Sequence, residues 1–135
     1  MKYFFDNCMS PYLAKALLVL DPDKTITITH LREKFDANIS DVDWLNQLGR
    51  EKDWVIVSGD NRILTRKAEL RAWRDSKNTA FFMHKNFTRQ GIWEMTSDFT
   101  KRWPEMKMKA STSLNGNGFK TIRLKHDAFE PVFNQ

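Results

Sequence analysis

Apolar residues fall along this chain in two rhythms. Short β-forming runs at residues 3–5, 25–29, 54–57 and 79–83 alternate with stretches of helical spacing. Residues 3–5 are apolar throughout, as buried parallel strands are, whereas 25–29 alternates Thr and Ile. Leu13, Ala16, Leu17 and Leu20 mark a helix that Ser10-Pro11 opens and Asp21-Pro22-Asp23 stops. Trp44, Leu45 and Leu48 give the apolar face of a second helix, with Ser40 as N-cap, Asp43 as its capping-box partner and Gly49 near its end. Residues 62–74 predict a basic helix anchored by Ile63, Leu64, Leu70 and Trp73. Strand and helix in turn predict an α/β fold, a doubly wound sheet with right-handed crossovers.

Past residue 86 the pattern weakens. Ile92, Met95, Phe99 and Trp103 predict a helix stopped by Pro104, and Trp93 and Trp103 with Met106 read as core rather than as base-stacking residues. Residues 106–113 are ambiguous, 115–118 (Asn-Gly-Asn-Gly) predict a turn, and 119–125 predict a short exposed strand. The 135 residues suit one domain, with a core over about 1–87 and a helix/strand extension over about 88–135.

Charge changes the picture. Residues 1–60 hold seven Lys and Arg against ten Asp and Glu, while residues 61–125 hold fifteen against five. An acidic half joined to a basic half fits a carboxylate site beside a polyanion track, or simply a solvated basic face. The longest apolar stretch is too short to span a bilayer, no signal peptide is expected, and the single cysteine suits a reducing cytoplasm. Cys8 is expected as a small buried filler. His30, His84 and His126 lack zinc spacing.

Three acids stand where a sheet edge could gather them: Asp6 after the first strand, Asp41 opening a helix, and Asp60 after the strand at 54–57. Clustered carboxylates repel one another unless a cation joins them, and Mg²⁺ or Mn²⁺ favours such hard oxygen ligands. Each acid also has a plain structural explanation. Asp6 and Asp60 suit turns, Asp41 and Asp43 suit the positive end of a helix, and Glu33 suits solvent.

In order and spacing, Phe5-Asp6-Asn7, Met9-Ser10-Pro11-Tyr12-Leu13-Ala14, Ser40-Asp41-Val42-Asp43-Trp44-Leu45 and Val55-Ile56-Val57-Ser58-Gly59-Asp60 resemble the PIN-like superfamily over residues 2–85. The branch they resemble most is the VapC-type toxins of prokaryotic toxin–antitoxin systems. The resemblance implies a three-layer α/β/α sandwich with a mostly parallel central sheet. It also implies a Mg²⁺- or Mn²⁺-dependent endoribonuclease restrained by a cognate antitoxin. Asp6, Asp41 and Asp60 match the metal-binding acids, with Asp43 a possible fourth and Glu33 the nearest match to a further acid. Asn7, which stands where compact relatives often have Glu, would support the ligands together with Ser58 and Asn61. Arg62, Arg66, Lys67, Arg71 and Arg74, with the cations of 101–125, would hold RNA. Phe129 and Phe133, expected exposed, suit a subunit or antitoxin contact. Two rivals share part of this layout. One is a receiver domain using Asp6, Asp60 and Lys85, and the other is a non-catalytic nucleic-acid binder.

Overall fold

A computed structural model describes residues 1–113, 117–121 and 129–133. Along the chain come β1 (Lys2–Phe5), α1 (Pro11–Leu20), β2 (Thr27–His30), α2 (Leu31–Lys34) and α3 (Asp41–Glu51). Then follow β3 (Trp54–Ser58), a 3-10 turn at Asn61–Leu64, α4 (Lys67–Ser76), β4 (Thr79–Phe82) and a second 3-10 turn at Phe87–Arg89. The chain ends with α5 (Ile92–Thr112), β5 (Gly118–Thr121) and β6 (Phe129–Pro131). One sheet has the order β2-β1-β3-β4-β5-β6, parallel except for β6 against β5.

Strand alternation sorts the apolar residues onto two faces. Tyr3 pairs with Val55, and Phe5 with Val57 and through it Phe81, and this face packs Leu13, Leu17, Phe99 and Trp103 of α1 and α5. Phe4, Ile56 and Ala80 face the other way, against Trp44, Leu48 and Trp73 of α3 and α4. The result is the expected three-layer α/β/α sandwich. The β3–α4–β4 and β4–α5–β5 connections step the same way across the sheet but carry their helices on opposite faces, so they have opposite hands.

Local chemistry sets the element ends. Ser10 Oγ accepts from the Tyr12 and Leu13 amides at 3.1 and 3.4 Å, and Pro11 sits in the first turn, where its missing N–H costs nothing. Ser40 Oγ accepts from the Asp43 amide at 3.1 Å and starts α3. The buried His30 closes a capping box with Glu33, its Nδ1 accepting from the Arg32 amide at 3.2 Å. That bond leaves the ring proton on Nε2, which donates to Met9 O at 2.7 Å and ties the end of β2 to the loop after β1.

Several expectations are corrected. Pro104 lies inside α5 instead of ending it. An interior proline costs about 3 kcal/mol, but here it is bracketed by two anchors. Trp103 Nε1 and Lys107 Nζ both donate to Asp21 Oδ2 at 2.7 Å, and Met106 and Ala110 continue the buried stripe. Asp21 is therefore a buried dock for α5 rather than only a turn residue, while Leu20, expected on the core-facing stripe, is 65% exposed. Residues 62–74 split into a 3-10 turn and α4. Phe129 is buried against Phe81, and Phe133 stacks on Trp73, so both are covered by their own chain. Trp93 is 85% exposed, not core. Residues 115 and 116 of the turn and 122–125 of the strand lie outside the described residues.

Gly49 does not end α3, which runs on to Glu51. A Cβ there would meet Ser76 Cα at 2.9 Å, so the glycine lets α3 and α4 close together. In an open helix Gly→Ala gains about 1 kcal/mol. Here Gly49→Ala is expected to lose about 1–2 kcal/mol by overpacking. A lowered denaturant midpoint would show it, and an unchanged or raised midpoint would contradict the close contact.

Candidate active site

The strand order reverses direction between β1 and β3, and ligands of open α/β sheets bind in the crevice past the carboxyl ends of the strands at such a point. Asp6 and Asp60 follow β1 and β3 on its two sides. Asp6 is 2% exposed, and its amide donates to Val57 O at 3.1 Å. Its Oδ1 accepts from the Cys8 and Gly59 amides at 3.1 and 3.3 Å, and its Oδ2 accepts from Ser58 Oγ. Ser58 Oγ also accepts from the Asp60 amide at 2.9 Å, so one hydroxyl joins the two acids. A Cβ on Gly59 would strike Thr88 Cγ2 at 2.6 Å and Cys8 Cβ at 3.0 Å. The loops after β1, β3 and β4 thus touch at this glycine.

Asp60 caps the 3-10 turn and grips Arg62 with both oxygens, Arg62 Nε donating to Oδ1 at 2.8 Å and Nη2 to Oδ2 at 3.0 Å. Asp41, in the first turn of α3, accepts from Trp44 Nε1 at 3.0 Å and lies within reach of the Asp60 charge. The structure therefore brings Asp6, Asp41 and Asp60 to one edge.

Their charge states differ for physical reasons. Burial pushes Asp6 up to about 7 against the pull of Ser58 and two amides, and the Asp41 charge adds to the rise. Burial and the Asp60 charge also raise Asp41. Burial would raise Asp60 as well, but the Arg62 hydrogen bonds and charge outweigh it and hold it low. One guanidinium, that of Arg62, lowers both Asp60 and Asp41.

Among the described residues, no group of three His, Cys, Asp or Glu is arranged to hold a metal ion. The donors are nevertheless the hard oxygens a Mg²⁺ or Mn²⁺ ion takes. Burial first, and neighbouring negative charge second, raise both Asp6 and Asp41, a rise that a nearby cation would oppose. The residue type fits, provided Arg62 lets go of Asp60.

Other expected site residues fall elsewhere. Asp43 is exposed and, two residues from Asp41, lies across the helix from it. Glu33 Oε1 accepts from the His30 amide at 2.9 Å, as a helix cap. Asn7 is exposed and accepts from Arg32 Nε at 2.8 Å, while Asn61 Nδ2 donates to Met83 O at 2.7 Å and ties the turn to the end of β4. Cys8 is exposed at the rim, not a buried filler. On α4, Arg66 and Arg71 lie 3.7 Å from Glu69 and Asp75, and Arg74 covers Phe133 at 4.4 Å, so only Lys67 there has no such partner among the described residues. Arg62 was expected among the RNA contacts and stands inside the acid cluster.

The family profile for the PIN like domain matches residues 1–85. The chain belongs to the PIN-like domain family. PIN-like domains are commonly nucleases, and the match favours this family over the receiver layout, which shares the β2-β1-β3-β4 order. No curated protein and no solved structure matches the chain. Among the described residues of this PIN-like chain, no helix is long and apolar enough to cross a membrane.

The raised Asp6 makes a prediction with a definite sign. Ionisation is harder in the fold than in the unfolded chain, so stability of the metal-free protein falls as pH rises from 3.8 to about 7. Asp6→Asn removes that loss. Thermal melts in EDTA should show the variant gaining on wild type from pH 4 to pH 8, and a constant or shrinking difference would rule this out.

Proposed function

We propose that the protein is a divalent-metal-dependent endoribonuclease. The observation that carries this reading is the Ser58 hydroxyl that ties the buried Asp6 carboxylate to the Asp60 amide, at the edge where Asp41 comes within reach of the Asp60 charge. Asp6, Asp41 and Asp60 would hold Mg²⁺ or Mn²⁺. A divalent ion there supplies activated water and offsets charge on a phosphodiester. Ser58 fixes the Asp6 carboxylate, and Trp44 holds one oxygen of Asp41, which orients the donors before any ion arrives. Arg62, 62% exposed in its side chain, can turn from Asp60 toward a phosphate.

The finer role, toxin of a VapC-type toxin–antitoxin pair acting on cytoplasmic RNA, rests on the resemblance of the ordered motifs around these acids. A cognate antitoxin would then be the natural partner, and a homodimer is a further proposal. A second reading is favoured by the Arg62 clamp. With Asp60 fully occupied, the chain would bind nucleic acid without cutting it.

Labelled RNA separates the two. With Mn²⁺ the wild type should cleave, EDTA should stop it, and Asp6→Asn or Asp60→Asn should lose at least about 100-fold, beyond the usual cost of an outer-sphere partner. Wild-type cleavage no faster than Asp6→Asn would leave only the binder. Arg62→Ala should also tighten Mn²⁺ binding in calorimetry, and unchanged or weaker binding would mean the guanidinium does not compete for the site.

A further inference from the structure

The carboxyl edge carries more than acids. Arg32 follows β2, Arg62 follows β3, and Lys85 and Arg89 follow β4, all four exposed. Among the described residues Arg32, Lys85 and Arg89 form no ion pair. With strands about 4.8 Å apart, these cations line roughly 14 Å of sheet edge, passing over Asp6 and Asp60. Along α4, by contrast, Arg66 and Arg71 are matched by acids one turn away and Arg74 lies over Phe133.

Two exposed aromatic residues flank this row. Tyr12 is 73% exposed and opens α1, four residues after Cys8; Trp93 is 85% exposed and opens α5, four residues after Arg89. Cys8 and Thr88 both lie against Gly59, so both helix starts spring from loops that touch the acid cluster. The α5 start is further held there by Asp98, 3.7 Å from His84. Burying neither ring in the core leaves two aromatic faces in water beside a row of cations that, Arg62 aside, are without ion pairs among the described residues.

We infer that an unpaired nucleic-acid strand crosses this edge, its phosphates on Arg32, Lys85 and Arg89 and its bases stacked on Tyr12 and Trp93. The occupant follows from charge and shape together. Cations in a row call for a polyanion, and flat exposed rings beside them call for bases that are not already stacked in a duplex. A protein partner would want a broad aliphatic patch, but of the exposed aliphatic side chains on these helices only Ile92 adjoins the rings, while Val19, Leu20 and Met108 lie toward the far ends. This surface rests on the nucleic-acid part of the function proposed above, and not on cleavage.

The five tryptophans provide a test, because Trp44, Trp54, Trp73 and Trp103 are buried and Trp93 alone is exposed. In EDTA at low salt, an oligoadenylate of about 12 nucleotides, within the site size of single-strand binders, should quench tryptophan emission. A duplex of equal length should not. Trp93→Phe should keep the affinity but lose the quenching, and Trp93→Ala should weaken binding about 10-fold. Arg89→Ala should lower the salt slope by about 1, while Arg71→Ala on α4 should leave it unchanged. Equal binding of duplex, or binding indifferent to Trp93→Ala, would overturn the surface, as would self-association that hides Trp93 from the oligonucleotide. Cleavage with Mn²⁺ but no quenching would reject this surface and leave the nuclease standing; quenching without cleavage would do the reverse.

Discussion

A single buried carboxylate organises the working edge of this protein. Asp6 ends β1, yet every group that holds its oxygens comes from beyond that strand: the Cys8 amide, the Gly59 amide and the Ser58 hydroxyl. Those bonds stitch β1 to β3 where the sheet changes direction. They do not fully balance the loss of water, since burial still drives Asp6 up to about 7. A side chain so placed is costly for stability alone, because an apolar residue would pack there without a charge to satisfy. Under the proposed function, a cation held nearby would offset that cost.

The rest of the fold serves that edge. Two apolar layers clamp the central strands, and His30 and Asn61 fasten the loops after β2 and β3 to their neighbours. Gly59 permits the contact that brings the β1, β3 and β4 loops together. The Trp44 indole, otherwise buried among aromatic residues, spends its one donor on Asp41. Core packing and site geometry are therefore coupled at α3, and a change in the Trp44 packing would move the acid.

Much of this was legible in the residue pattern, and the parts that were not share a cause. The β1 and β3 runs ending in Asp6 and Ser58-Gly59-Asp60 are recognisable because buried strands are apolar on both faces and break sharply at a polar residue. Asp41 stands beside them by its position, but an acid in the first turn of a helix is ordinary, and the resemblance gives it weight. Asp43 entered the candidate set for the same reason, and helical geometry carries it away. Arg62 looked like one basic residue among many because a 3-10 turn, not a helix, follows Asp60, and a turn lets residue i+2 fold back. Pro104 seemed a helix stop because propensity is local, whereas the Asp21 dock that overrides it is eighty-two residues from Trp103. The family match ends at residue 85, just before the connection whose hand differs, so motif order carried no information about α5.

The pairing of Arg62 with Asp60 explains how three acids can share one edge before any ligand arrives. Asp60, 6% exposed, is held ionised by a bidentate guanidinium, while Asp6 and Asp41 lie nearer to protonation. The cluster thus avoids three adjacent full charges by two means, one borrowed cation and raised proton affinity. Both are reversible. The guanidinium end is mostly in solvent, so leaving Asp60 costs it little desolvation, and the protons can pass to water. A divalent ion that replaced them would meet donors already oriented by Ser58, Trp44 and the backbone, and the freed arginine would stand beside any phosphate drawn to the same place. Under the proposed function, the groups that make the edge tolerable without a metal are the ones a metal and a polyanion would displace.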